Sequence, residues 1–351
     1  MKKTIYPAYV PVHFYSKSID GQGLFYKLED MLIFYTMLSC AVRRHKLEVM
    51  SFCLMFNHFH LLIKVKDCNQ TLKVIAEFKR EFTRQYNLRY NRNGRLFMAP
   101  TGWAAKDTMK KLRSCIVYIC NNPVTGSLCK NASAYRWNLL AFKTNGTPFS
   151  EPVKKRLCRK KFRESIDLVN RQYACGKPLN YILTDNVFKG LGRNESQQLT
   201  DYIIDKYNFL DYNSFLSCFR DWESAISVIE STQGSEYDLR EDYEDYSLYE
   251  KMQELMKQLG YDVDCKTIDN LSDNDIKRCT MKIYGILNPP RRQVLKFLHL
   301  TRKNKEFQDK PPVERNYLTI NKLATFRVCK TATLKVANHL SNSALRATLR
   351  V

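Results

Sequence analysis

The residues His58-Phe59-His60-Leu61-Leu62-Ile63-Lys64-Val65 constrain the fold more than any other segment of the chain. In an extended strand, successive side chains point to opposite faces. His58, His60, Leu62 and Lys64 then share one face, and Phe59, Leu61, Ile63 and Val65 share the other. The second set is wholly apolar and has to be core. The chain must therefore build a sheet with a sealed back and two neighbouring imidazoles on its front. Neutral imidazole is a common metal ligand, and two at this spacing can bind one ion. A pair held only by hydrogen bonds is the alternative that the strand alone leaves open.

The surrounding pattern supplies partners for that strand. Tyr9–Tyr15 is rich in Val, Phe and Tyr and reads as a strand, as does Glu48–Met55. Phe25–Val42 reads as a helix; its apolar run Met31–Val42 is too short to cross a membrane and suits a buried helix. Thr71–Tyr90 is amphipathic, with Leu72, Ile75, Phe78, Phe82 and Tyr86 on one face. Thr108–Asn122 is a second amphipathic helix, ended by Pro123. A basic junction follows at 150–165, and residues 165–345 read as mostly helical. The expected class is α+β, with an N-terminal mixed domain and a helical C-terminal region.

Within Thr108–Asn122, steps of three and four place Lys111, Ser114, Tyr118 and Asn122 on one stripe. Met109, Leu112, Ile116 and Ile119 lie nearly opposite. Tyr118 is thus expected off the core face, one turn before a polar amide. A tyrosine hydroxyl can attack a phosphodiester when a metal ion polarises the phosphate. Asn122 could give such an ion a third, oxygen ligand.

Charge indicates the substrate class. The 351 residues include 57 Lys+Arg and 35 Asp+Glu, a formal net charge of +22. Residues 1–150 hold 23 basic and 8 acidic side chains, and 151–200 hold 11 and 5. Residues 201–270 reverse the sign with 6 basic and 17 acidic, and 271–351 return to 17 and 5. Two basic blocks around an acidic linker are the footprint of a phosphate-backbone binder. The opening residues carry Pro7 and Pro11 and no apolar signal core, so neither secretion nor a membrane partner is expected. The 12 cysteines include no C-x-x-C pair and fit reduced thiols of a cytoplasmic protein.

Taken together, the two motifs resemble a known family. The chain is similar to the HUH single-tyrosine transposases, where U is a large apolar residue. The nearest likeness is to the REP-associated tyrosine transposases of the insertion-sequence "200-like" class. The family's M-P-N-H-x-H-L-L stands here as Met55-Phe56-Asn57-His58-Phe59-His60-Leu61-Leu62. Its Y-I-H-x-N-P-V stands as Tyr118-Ile119-Cys120-Asn121-Asn122-Pro123-Val124. Gly94-Arg95-Leu96-Phe97 resembles its G-x-L-F, and Tyr135-Arg136-Trp137 its Y-x-W. Phe56 replaces the usual proline, Cys120 the usual histidine, and Thr125-Gly126 the common Arg-Ala.

The resemblance implies a ferredoxin-like or RRM-like antiparallel sheet packed by helices, an HUH endonuclease core over residues 1–145. It implies that His58, His60 and Asn122 hold one Mg²⁺ or Mn²⁺, and that Tyr118 is the nucleophile. Attack by Tyr118 would form a 5′-phosphotyrosine and free a 3′-OH, with no nucleotide cofactor. The implied substrate is single-stranded hairpin DNA. Lys73, Lys79, Arg80, Arg84, Arg89, Arg92 and Arg95 are candidates for backbone contacts. The implied setting is the bacterial cytoplasm and nucleoid, and the implied state a monomer or homodimer.

The rest of the chain divides into a junction and acidic linker (146–270) and a basic helical block (271–351). Within the latter, Ile320–Leu334 resembles a helix-turn-helix, I-x-x-I-A-x-x-x-G-I-S-x-x-T-V, with Val328 in place of the turn glycine. Such a segment, over about 317–340, would lay Lys330 and Lys335 against flanking duplex DNA. A chain ending near Ser150 is then expected, provided that its core folds, to keep the chemistry and to lose affinity mainly for duplex or long flanking DNA. The competing readings are a replication-initiator or relaxase-type nickase, a catalytically inactive domesticated DNA-binding regulator, and an RNA-binding module.

Overall fold

The structure, a computed structural model, describes residues 7–154, 156, 158–231 and 244–301. Four strands form the sheet: β1 (Val10–Lys17), β2 (Glu48–Leu54), β3 (His58–Val65) and β4 (Gly102–Ala105). Their order is β2-β3-β1-β4 and every pairing is antiparallel. Helices α1 (Leu28–His45) and α2 (Cys68–Tyr90) are the two crossovers. This βαββαβ connection with that strand order is the ferredoxin-like topology.

Both crossovers lie behind the sheet. Phe34 of α1 meets Phe59 of β3 at 5.2 Å between ring centroids, and Phe78 and Phe82 of α2 at 4.8 and 5.2 Å. The face of Phe59, Leu61, Ile63 and Val65 is therefore core, as the alternation requires. Each long helix starts at a capped end where it can. Asp67 accepts from Gln70 N at 3.1 Å at the start of α2, satisfying a donor that has no partner inside the helix. The next helix, α3 (Met109–Thr125), is opened in the same way by Thr108, which accepts from Lys111 N. This helix does not end at Pro123 but carries it inside the last turn.

The front of the sheet is covered too. α3 lies against β2 and β3, with Cys120 Sγ 3.8 Å from Ser51 Oγ. Over it runs a helical region: α4 (Lys160–Ala174), α5 (Tyr181–Phe188), α6 (Arg193–Lys206), α7 (Tyr212–Leu216), α8 (Trp222–Ser231), α9 (Ser247–Gln258), α10 (Cys265–Asp269), α11 (Asp273–Leu287) and α12 (Arg291–Phe297). α1 is buried nearly all round because α5 and α6 cover the side that the sheet does not. Tyr35 of α1 donates to Ile204 O at 2.8 Å, and its ring lies 5.3 Å from Phe209.

Packing divides the chain after His299, and all the elements above belong to the first unit. The second half of the acidic stretch, expected to be a linker or an exposed helix, is a helix with a buried face. Tyr249, Met252, Leu255 and Met256 of α9 are buried. The helix-turn-helix-like segment at about 317–340, with Lys330 and Lys335, lies outside the described residues.

Candidate active site

His58 and His60 stand on the front of β3 with their rings 5.0 Å apart and nearly perpendicular. α3 brings the tyrosine motif directly onto them. Asn122 Oδ1 lies 3.2 Å from His58 Nε2, and the Tyr118 ring is 5.3 Å from the His60 ring. Two motifs far apart in sequence thus meet on one face of the sheet. The stripe reading of α3 holds for Lys111, which is exposed, but not for Tyr118 and Asn122, which are each 9 % exposed. The cause is tertiary: the sheet takes one side of the helix, and α8 takes the other through Ala225 and Ile229. Asn121 on that outer side donates to Ile229 O at 2.5 Å.

The tautomer of His58 follows from its neighbours. Asn57 Nδ2 donates to Gly21 O at 2.7 Å, which fixes the amide and leaves Asn57 Oδ1 as an acceptor. That oxygen lies 2.8 Å from His58 Nδ1, so Nδ1 carries the proton. His58 Nε2 then turns a lone pair toward Asn122. With the Asn122 amide as placed, two acceptors face each other at 3.2 Å. Adjacent ligands of an octahedral ion, each at ~2.1 Å, are separated by about 3.0 Å. The imidazole nitrogen and amide oxygen at that spacing therefore fit adjacent positions on a six-coordinate divalent cation, with the His58 ring oriented by its far nitrogen in the way that metal-bound imidazoles usually are.

Three residues of this site carry no mark in the sequence reading. His13 of β1 sits opposite Leu62 in the register, and its Nε2 is 3.0 Å from His60 Nδ1. Burial, then the nearby His60 and Lys106, hold the His13 pKa well below the ordinary imidazole value. Its signal was a third histidine on the same face of a neighbouring strand, visible only once β1 and β3 are paired. Asn57 was part of the motif without a role. Tyr246, at the end of the acidic stretch, places its hydroxyl 3.1 Å from Asn57 Oδ1 and 3.3 Å from His58 Nδ1; nothing local marks it.

The departures from the family pattern have local explanations. Phe56 stacks on Tyr249 of α9 at 4.7 Å and meets Tyr26 edge-on at 5.1 Å, so the helical region uses the place of the proline as an anchor. Cys120 is buried under α3, and burial pushes its thiol up to about 12, which makes it a packing residue rather than a thiolate.

The basic candidates on and after α2 do not gather at this site. α2 lies on the opposite face of the sheet from the histidines. Lys79 is a correction: it is buried, donating to Ser16 Oγ at 2.8 Å, Thr101 Oγ1 at 2.9 Å and Met98 O at 3.3 Å. Burial pushes its pKa down to about 8. Arg89 is bidentate to Asp185, Arg92 donates to Asp269 at 2.7 Å, and Arg84 pairs with Glu81. Lys73, Arg80 and Arg95 are exposed.

A second cluster has the residue types of a metal site: Cys265, Asp269 and His299, whose ligand atoms lie within 4.8 Å of one another. Arg92 Nε is already 2.7 Å from Asp269 Oδ2, and His299 Nδ1 is 2.7 Å from Oδ1. A guanidinium fills the place a cation would take, and the cluster reads as a structural network distinct from the histidine site.

Residues 25–112 match the model of a protein family described as "Transposase IS200 like". That segment is IS200-transposase-like. The span contains His58 and His60 and stops before Tyr118. Among solved structures, that of a REP-associated tyrosine transposase bound to a REP hairpin aligns at 13% identity and a TM-score of 0.33, over 40% of this chain and 82% of the other. At that level the overall likeness is slight. No curated protein matches the sequence. The IS200-like segment includes α1, β2, β3, α2 and β4, which form three of the four strands and the back layer beneath the histidines; β1 precedes it.

Proposed function

We propose that the chain is a metal-dependent DNA transposase that cleaves and rejoins single-stranded hairpin DNA through a 5′-phosphotyrosine. The observation that carries this reading is the meeting of the two motifs: Asn122 at 3.2 Å from His58, and Tyr118 packed on His60. His58, His60 and Asn122 would hold a Mg²⁺ or Mn²⁺ ion. When bound, the ion would withdraw charge from the scissile phosphate and stabilise the negative charge that develops on it. Tyr118 supplies the attacking oxygen. Its bond to phosphorus forms as the bond from phosphorus to the 3′ oxygen breaks; the Tyr118 hydroxyl gives up its proton to solvent, and the leaving oxygen takes one up to become a 3′-OH. The reverse attack by a 3′-OH rejoins strands and releases Tyr118, so the bond energy is kept and no nucleotide cofactor is needed. His13 holds the far nitrogen of His60, as Asn57 holds that of His58.

In this reading residues 1–145 carry the chemistry, and the basic block 271–351 contacts flanking duplex DNA. The net charge of +22 favours a nucleic-acid partner with steep salt dependence. The deciding experiment uses a labelled single-stranded hairpin and denaturing gels. Tyr118→Phe should bind the hairpin as the parent does and form no covalent adduct. Adduct at parental yield from that variant would remove Tyr118 from the role of nucleophile. Parent protein that binds DNA but never forms an adduct would favour the regulator reading.

A further inference from the structure

We propose that Tyr246 is a positioning residue of the histidine site, supplied by the helical region rather than by the IS200-like segment. The inference rests on the metal reading above and adds to it a residue 188 positions from His58 in sequence. The Tyr246 hydroxyl donates to Asn57 Oδ1 at 3.1 Å and lies 3.3 Å from His58 Nδ1. Asn57 Nδ2 is spent on Gly21 O, so the Asn57 oxygen takes both of its donors, His58 Nδ1–H and the Tyr246 hydroxyl, from the site side. Both lone pairs of that oxygen are then occupied. With Asn57 held on both its atoms, the oxygen that orients the His58 ring is fixed in place, and the Tyr246 hydroxyl is what fills its second lone pair.

The placement of Tyr246 is itself over-determined. Its backbone N–H donates to Gly126 O at 2.8 Å, which ties it to the end of α3, the helix that carries Tyr118 and Asn122. A Cβ on Gly126 would come within 2.8 Å of Tyr246 Cδ2 and 3.1 Å of Met55 Cε, so only glycine admits the ring there. On the other side, Gln293 of α12 donates to Asp245 O at 2.8 Å, and buried Glu244 pairs with buried Lys296. Tyr246 thus joins three bodies at one point: the end of α3, the start of β3, and α12. It fixes the orientation of His58 and the distance between the histidine strand and the tyrosine helix together.

The test uses the full chain and two variants, Tyr246→Phe, which removes only the hydroxyl, and Gly126→Ala, which displaces the ring. Mn²⁺ binding is read by calorimetry, and the His58 Nδ1 resonance by two-bond ¹⁵N–¹H correlation without metal. Far-ultraviolet dichroism and thermal melting check that each variant is folded. Loss of an outer partner of a metal-bound imidazole typically costs 10–100-fold in affinity. Tyr246→Phe should weaken Mn²⁺ binding about 10-fold and shift the His58 Nδ1 resonance, and Gly126→Ala should do the same with the hydroxyl still present. A folded Tyr246→Phe protein with parental Mn²⁺ affinity and an unshifted Nδ1 resonance would overturn the proposal. If the parent binds no Mn²⁺, or His58→Ala leaves binding unchanged, the metal reading fails instead. The Nδ1 resonance of the metal-free protein then decides the part of Tyr246 by itself.

Discussion

A chain cut near Ser150 should lose the chemistry along with its fold, although the sequence pattern suggests that residues 1–150 suffice. The cut removes Phe209 from Tyr35 and Phe52, whose rings lie 5.3 and 5.2 Å from it and are fully buried. Uncovering each costs roughly 2 kcal/mol. It also removes three acceptors: Ile204 O for Tyr35, Ile229 O for Asn121 and Cys218 O for Arg113. Those bonds contribute about 1 kcal/mol each. The sum of about 7 kcal/mol is comparable with the 5–15 kcal/mol that a domain has in total. α3 would lose α8, and His58 would lose Tyr246. The expected result is a fragment without a cooperative melt and with less than about a tenth of the parental adduct. A chain ending after Thr301 keeps every described element and should form adduct normally. A 1–150 fragment that melts cooperatively near the parental midpoint and forms full adduct would refute the reasoning.

Three further outcomes follow from the same geometry. His58→Ala and His60→Ala should each abolish most cleavage, and EDTA should stop the parent until Mg²⁺ or Mn²⁺ is restored. Asn122→Ala should do less harm, since water can replace one oxygen ligand; undiminished cleavage in EDTA would end the metal reading. Burial pushes Asp30 up to about 7 from 3.8, against the opposing hydrogen bonds of Tyr90 and Tyr181. A folded-state pKa above the unfolded one gives stability that is complete below pH ~4 and lost as pH rises through ~7, on the order of 4 kcal/mol. The thermal midpoint should fall across that window in the parent, and a slope that persists in Asp30→Asn would exclude Asp30 as its source. Replacing Lys330 and Lys335 together should weaken duplex binding and reduce its salt slope by roughly one unit per lost phosphate contact; an unchanged slope in gel-shift titrations would take the helix-turn-helix reading with it.

The parts of the site that could be read in sequence are those set by local periodicity. The alternation of His58–Val65 gives the strand, its sealed back and the shared face of the imidazoles, because a period of two admits no other arrangement. The helix around Tyr118 was legible from its 3.6 period, but the burial of Tyr118 was not. That depends on the sheet, whose His60 and His13 rings lie 5.3 and 6.0 Å from Tyr118 and cover a face that the helix alone presents as polar. β4 escaped because Gly102-Trp103-Ala104-Ala105 is short and half-buried throughout, without alternation. Pro123 misled for a related reason. A proline is disfavoured in a helix interior because it lacks an N–H and crowds the preceding turn, yet here packing on the sheet and on α8 carries α3 two residues past it. Asn138 Nδ2 is bonded to the carbonyl of Cys120 in that same turn, at 3.3 Å.

The placement of charge changes what the basic composition can mean. The motifs sit on the front of the sheet, whereas the arginines and lysines of α2 sit behind it, and Lys79, Arg84, Arg89 and Arg92 are held by partners of this chain. In the proposed reaction, charges in such positions would act on DNA at a distance, raising its local concentration and its rate of arrival, and would be screened within about 8–10 Å in physiological salt. Contacts that fix a phosphate against Tyr118 would have to come from the histidine face itself. By register, Lys17 of β1 lies directly opposite His58, on that face, and beside Gly21, whose carbonyl holds Asn57. Lys17 is thus a cation of the histidine face, on a strand, that no charge count singles out. In the proposed reaction the counted helical stripe would serve attraction, and position on the sheet, rather than local density of Lys and Arg, would separate the two roles.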